Sequence, residues 1–282
     1  MFGIMDIVDT ANALIDRIVN PPPVISVVRL TGLIAAGGGM LRGGLNLATQ
    51  AGILKAAFAP KRLAAVALVV NSPGGSPVQS SLIGQRIRQH AEERKVPVIA
   101  FVEDVAASGG YWLAAAADEI IVDPSSILGS IGVVSAGFGF HDAIARLGIE
   151  RRLHTQGEHK RLLDPFLPEK PEDVARLKEL QGDIHQGFKD WVRQRRGAKL
   201  NAGDEILFNG DIWTGRRAVE LGLADATGDL RSVLRDRYGE KVRMRVVGRR
   251  HRWFGLSLPR NELAGELLAA IEERLAWGRW GL

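Results

Sequence analysis

A chain of 282 residues, 46% hydrophobic and 24% charged, can bury a full core in one large domain or two small ones. It has no cysteine, which excludes disulfides, thiol nucleophiles and Cys-ligated zinc. The net charge of +5 is a property of the chain's end: residues 231–282 carry 12 Lys and Arg against 6 Asp and Glu, while residues 1–230 carry 25 against 26.

Residues 1–20 predict an amphipathic helix, with Ile4, Ile7, Val8, Ala11, Leu14, Ile15 and Ile18 on one face. That face suits packing on this domain, on another subunit or on a membrane surface; its acidic polar side argues against the membrane. Met1–Asp6 lacks the basic start of a secretory signal, and Asp6, Asp9 and Asp16 interrupt an apolar run. No run reaches the roughly 18 apolar residues of a membrane span. The expectation is a cytoplasmic protein, with peripheral membrane contact left open.

Pro21-Pro-Pro23 ends the first helix. Strands and helices then alternate: strand 24–30, helix 45–57, strand 63–70, helix 77–93, strand 96–102, helix 106–117, strand 119–123, helix 141–147 and strand 149–154. The strands are continuous apolar runs such as Leu63–Val70, the pattern of a parallel sheet covered on both faces. Further helices are expected over 171–197, 214–221 and 228–238. The division is a main domain over 24–240 and a basic, amphipathic extension over 241–282. The extension opens on a strand-like run, Lys241–Val247, and carries Arg249, Arg250, Arg252, Trp253, Phe254, Trp277 and Trp280. These suit an anionic membrane surface or a contact between subunits. No recognised module accompanies the charge, so nucleic acid is not an expected partner.

Three segments could carry chemistry. In Asp104-Val-Ala-Ala-Ser108-Gly-Gly-Tyr111 a serine stands between an apolar strand and an alanine-rich helix. It reads as a helix N-cap or as a nucleophile, since small neighbours let a substrate approach. Asn71-Ser-Pro-Gly-Gly75 ends the preceding strand, as a plain turn or as a source of amide donors for an oxyanion. It lacks the Gly-Lys-Ser/Thr of a P-loop and the spacing of a dinucleotide site. Gly129-Ser130-Ile-Gly132 is a tight turn or a hydroxyl that orients a base. Gly37–Gly39 and Gly43-Gly44 read as a flexible loop. For the base, His141, His154 and His159 stay open, as does Lys160 in Thr155-Gln-Gly-Glu-His-Lys160. A lysine serves if its ordinary pKa of about 10.4 is lowered toward 7–8 by burial.

These segments, with Gly157-Glu-His-Lys160 and the later Phe208-Asn-Gly-Asp-Ile-Trp-Thr-Gly through Asp225, resemble the signal peptide peptidase A family of serine proteases. The motifs stand in the family's order across residues 70–230. The resemblance implies the α/β fold of the ClpP/crotonase superfamily, a spiral of ββα units with a mostly parallel sheet. It implies a Ser/Lys dyad with Ser108 as nucleophile, Lys160 as general base and Ser130 holding the lysine. It places the oxyanion donors at Gly75 and Gly109, with Gly74 a close competitor. The implied reaction is hydrolysis of extended apolar peptides, such as signal-peptide remnants or membrane-protein fragments, without cofactor or metal, in a homo-oligomer. Two other readings stand beside it. An idle peptide- or membrane-binding scaffold is disfavoured by the intact Ser108, Ser130 and Lys160. A crotonase-like acyl-CoA enzyme would need acidic catalytic residues beside the glycine loops.

Overall fold

The structure is a computed structural model that describes residues 22–36, 44–157, 159–248 and 277–278. The expected helix over 1–20, most of the glycine loop at 37–44, Glu158 and nearly all of the tail beyond 248 lie outside the described residues.

The apolar runs form the expected parallel sheet. Its strands are β1 (Val24–Thr31), β2 (Leu63–Ser72), β3 (Val98–Ala107), β4 (Glu119–Val122), β5 (Ile127–Gly129), β6 (Ile212–Thr214), β7 (Ala226–Thr227) and β8 (Arg243–Val247). The order is β6-β5-β3-β2-β1-β8, with β4 beside β3 and β7 beside β4. Every pairing among these is parallel except β5 with β6. β8 pairs with β1 from Val24↔Arg243 to Val28↔Val247, so the sheet runs past residue 240.

The continuous runs are buried on both faces because a strand's side chains alternate. Val66, Leu68 and Val70 of β2 join one core with Val28, Leu30, Val98, Ala100 and Val102. Ala65, Ala67 and Val69 point into a second, smaller core with Ile25, Val27, Ile99 and Phe101. The first core is covered by α1 (Leu47–Ala57), α2 (Pro77–Arg94), α3 (Gly109–Ala114) and part of α5 (Pro171–Arg196). The second is closed by Leu234 of α8 (Leu230–Tyr238). Between these come α4 (His141–Arg146), a 3-10 turn at Gly197–Lys199, α6 (Asp204–Leu207) and α7 (Gly215–Glu220).

β3 is the branch point. Its first half, Ile99–Val102, pairs with β4, and its second half, Val105–Ala107, pairs with β5. Between them the register against β2 slips, from Val70↔Val102 to Ser72↔Ala106. The buried Ser126 hydroxyl donates to the Val102 and Glu103 carbonyls exposed by this slip.

β3 runs to Ala107, beyond the expected strand end at 102, and two further expectations fail. The helix expected from Ala106 starts at Gly109, because Val105–Ala107 finds a partner strand in β5. The strand expected over 149–154 is absent: residues 151–155 carry no regular structure and are exposed, with no strand edge beside them.

The α3 helix is fixed at several points. Tyr111 is fully buried and its hydroxyl donates to the Leu223 carbonyl at 2.8 Å. Burial pushes that phenol far above its ordinary pKa. Trp112 stacks on Phe188 of α5 at 4.6 Å, and the Trp191 indole donates to the Trp112 carbonyl at 3.0 Å. At the end of α5, Arg196 pairs with Asp225 at 2.7 Å and donates twice to the Gly222 carbonyl, its side chain only 1% exposed. Asp225 also takes Lys199 at 2.7 Å and the Ile120 amide at 2.7 Å. Burial alone would raise the Asp225 carboxyl; the bonds from Arg196, Lys199 and Ile120 together outweigh it and hold the carboxyl below the usual range.

Removing one partner strands a buried charge, so Asp225→Ala should cost about 3–5 kcal/mol in urea unfolding. Because the folded carboxyl is depressed, the wild-type contribution is present above the unfolded value of about 3.9 and is lost as pH falls from there through the folded value. Asp225→Asn should flatten that acid limb.

Candidate active site

Ser108 is the single residue between β3 and α3, and its backbone is unusual: φ is +52° and ψ is −121°. A non-glycine residue in such a region costs about 1–3 kcal/mol and persists only where the surroundings impose it. Here the Ser108 amide donates to the Gly129 carbonyl at 2.8 Å, and its carbonyl accepts from Trp112 at 3.1 Å. Ser108 occupies the N-cap position of α3, but its hydroxyl makes no capping bond. The backbone is spent holding the residue still, and the side chain is left half-exposed and uncommitted.

The glycine turn after β2 lies against it. A β-carbon at Gly74 would stand 2.8 Å from the Ala107 carbonyl, the Gly109 amide nitrogen and the Ser108 β-carbon. One at Gly109 would stand 2.4 Å from the Ser80 hydroxyl and 3.4 Å from the Gly75 nitrogen. These glycines exist so that two backbones can approach closely. The turn is tied to the segment after β1: the Ile34 amide donates to Gly74 (2.8 Å), and the Ser76 amide donates to Ile34 (2.7 Å). The Gly74 amide donates to the Ser72 hydroxyl at 3.2 Å. Among the described residues, the Gly75 and Gly109 amides have no hydrogen-bond acceptor. Of the three glycines named from the sequence, these two therefore have free donors beside Ser108.

Ser130 follows β5 with φ at +50°. Its amide donates to the Asp211 carbonyl at 2.6 Å, and its hydroxyl is uncommitted among the described residues. The Gly129 carbonyl that holds Ser108 immediately precedes it, so Ser108 and Ser130 are joined through one peptide unit. The segment Phe208–Thr214 acquires a structural role here. β6 lies antiparallel to β5, and Trp213 lies where a β-carbon on Gly129 would come within 2.7 Å of its ring.

Lys160 is placed differently. From Val134 to Lys170 none of the described residues is buried. This arm folds on itself: the Arg151 guanidinium pairs with Asp164 and lies 4.7 Å from the Phe166 ring centre, while the Phe140 amide donates to the Pro165 carbonyl at 2.6 Å. The hydrogen bond from Arg151, helped by the Phe166 amide, holds the Asp164 carboxyl below its ordinary range. Lys160 sits in the turn between them, its amide donating to the Gly157 carbonyl at 3.2 Å. Its side chain is exposed, with no hydrogen-bond or ion-pair partner among the described residues. The single chain thus gathers Ser108, Ser130 and the glycine amides, and among the described residues no hydrogen bond joins the exposed Lys160 to them. Of the histidines left open, His141 lies beside Asp142 at 3.4 Å on this same arm. His154 and His159 are exposed on it as well. Among the described residues, no group of three or more His, Asp or Glu could hold a metal ion.

The family model of peptidase family S49 matches residues 90–241. A Brucella abortus protein named as the Na(+)/H(+) antiporter NhaA is 51% identical over 272 residues, covering 92% of this chain and 37% of that protein. The chloroplastic serine protease SPPA of Arabidopsis thaliana is 34% identical over 171 residues, covering 60% of this chain and 25% of that protein. The chain therefore spans well under half the length of these relatives. Among solved structures, a mutant of the 1510-N membrane-bound stomatin-specific protease superposes with a TM-score of 0.51 at 17% identity, covering 81% of this chain and 99% of the other. That likeness is one of fold.

Gly74→Ala should strongly damage activity, because the added methyl meets Ser108 itself. Its φ of +103° disfavours a side chain, and its new methyl would press on backbone that cannot move without moving Ser108. The expected loss is at least about 100-fold in hydrolysis of an activated ester, the size expected when an oxyanion donor is displaced. Gly182→Ala, on α5 with open space around it, should leave the rate unchanged and slightly raise the urea midpoint.

Proposed function

The chain belongs to peptidase family S49, and on that premise we propose that it is a serine endopeptidase in which Ser108 is the nucleophile and Lys160 the general base. The observation that carries the reading is the coincidence at one point of a strained serine, an uncommitted hydroxyl and two free amides, Gly75 and Gly109. Such an arrangement does little for stability and suits addition to a carbonyl.

The reaction runs as an acyl transfer. Neutral Lys160 takes the Ser108 proton as Oγ adds to the peptide carbonyl carbon. The Gly75 and Gly109 amides receive the developing oxyanion. The lysine returns the proton to the departing amine as the C–N bond breaks, leaving an ester on Ser108. A water molecule, deprotonated by the same lysine, then hydrolyses the ester and restores the serine. Ser130 donates no atom to the products; its hydroxyl holds the lysine amine against Ser108. This sequence requires the arm of residues 134–170 to close over the site. The arm's exposed apolar side chains (Val134, Phe138, Leu147 and Ile149 are each more than half exposed) favour closure against a bound apolar peptide or a second copy of the chain in a homo-oligomer.

The substrates proposed are extended peptides with apolar residues near the cleaved bond, lying as an added strand beside the glycine turn. The Brucella relatives bear on location. Among the described residues no helix is long and apolar enough to cross a membrane, and the Brucella abortus relative carries an antiporter's name over a length of which this chain covers 37%. An antiporter's name on relatives this similar favours membrane-protein fragments as substrates.

Ser108→Ala and Lys160→Ala should each abolish cleavage of an apolar fluorogenic peptide, by about 1,000-fold or more, with unchanged far-ultraviolet circular dichroism. Robust turnover by the Lys160 variant would remove the dyad; robust turnover by the Ser108 variant would remove the serine mechanism altogether.

A further inference from the structure

The slip in register between β2 and β3 decides where Ser108 ends up, and one side chain bridges it. Val70 faces Val102, and Ser72 faces Ala106. Asn71 alone therefore stands opposite three residues, Glu103, Asp104 and Val105. A bulge of this kind leaves ladder groups unpaired and bends the strand. The main-chain carbonyl of Asn71 is turned the other way, accepting from Gly32 at 3.0 Å. Its side chain serves β3 instead: Oδ1 accepts the Val105 amide at 3.2 Å, and Nδ2 donates to the Asp104 carboxylate at 2.6 Å.

The two bonds fix each other. Turning the amide over would set Nδ2 against the Val105 N–H, two donors, and Oδ1 against the Asp104 carboxylate, two acceptors. Asp104 thus selects the rotamer in which Asn71 holds the bulge. Immediately after the bulge, Val105–Ala107 locks onto β5 and Ser108 onto Gly129. Three residues after Asn71 comes Gly74, packed on Ser108. One side chain therefore ties the strand that leads to the glycine turn to the strand that leads to the serine.

We propose that Asn71 and Asp104 form a positioning pair that sets the register of the Ser108 hydroxyl against the Gly75 and Gly109 amides. The proposal rests on the reading of Ser108 as nucleophile. Neither residue reaches the reacting atoms; both act through the bulge, so the effect falls on turnover and acylation rather than on substrate affinity.

The test is a swap in the full chain. Asn71→Asp sets carboxylate against carboxylate. It should lower kcat for an apolar peptide at least tenfold with KM within about twofold, and slow fluorophosphonate acylation by the same factor. Adding Asp104→Asn restores a donor facing the new carboxylate, and the double variant should return to within about threefold of the native rates. Asp104→Asn alone should cost less than about threefold, since its carboxamide oxygen still accepts from Asn71. A native kcat in Asn71→Asp, or a double variant no faster than the single one, overturns the pairing. Should Asn71→Asp fold poorly by thermal melting, Asp104→Ala decides, since it frees the amide without adding charge: acylation slowed threefold or more supports the pair, and an unchanged rate overturns it. Labelling of Ser108 in the native chain separates the two layers. With Ser108 labelled and the swap without effect, only the positioning role fails; with Ser108 unlabelled, both fall.

Discussion

A serine with a positive φ cannot be kept by its own preferences, so the turn at Ser108 has to be imposed by its neighbours. The Gly129 carbonyl holds its amide and Gly74 packs against its β-carbon. The bulge in β3 sets how far along the sheet the turn falls. The fork of β3 between β4 and β5 serves the same end, since only the half beyond the bulge reaches β5. The cost of the turn, about 1–3 kcal/mol, is small against the core that surrounds it on the α3 side.

That core explains why the site is rigid on one side and open on the other. Tyr111, Trp112 and the alanines that follow are buried, and α5 clamps them through Trp191 and the Arg196–Asp225 pair. A helix so fixed presents the Gly109 amide in one direction, as oxyanion stabilisation requires. The arm that carries Lys160 has no such anchorage. It is stiffened locally by Arg151, Asp164 and Phe166, yet it contributes nothing to either core. The proposed nucleophile and donors are built into the fold, and the proposed base is carried on a part that needs something else to close it.

Most of the sheet could be read from the sequence because its strands are long apolar runs: Val24–Thr31 and Leu63–Ser72 fall where those runs predict, and Val98–Ala107 begins there but runs on past the expected end at 102. The short strands β5, β6 and β7 could not, since two or three residues carry no periodicity. Missing β5 is also why the α3 start was expected three residues early. The 149–154 segment has a strand's composition and no edge to pair with, so composition misled. Ser108, Ser130 and the glycines were legible as motifs. What no motif conveys is that Gly74 gives its amide to Ser72 while Gly75 keeps its own free. Asn71 and Asp104 stood within quoted motifs without a role, because their meeting depends on a register slip that only the folded sheet shows.

The central claim is that the fold activates one serine. Treating the native chain with a fluorophosphonate and mapping the adduct by mass spectrometry tests it most directly. The account predicts a single stoichiometric adduct on the peptide containing Ser108, lost in Ser108→Ala. A chain that takes no label, or takes it at another serine, would contradict it.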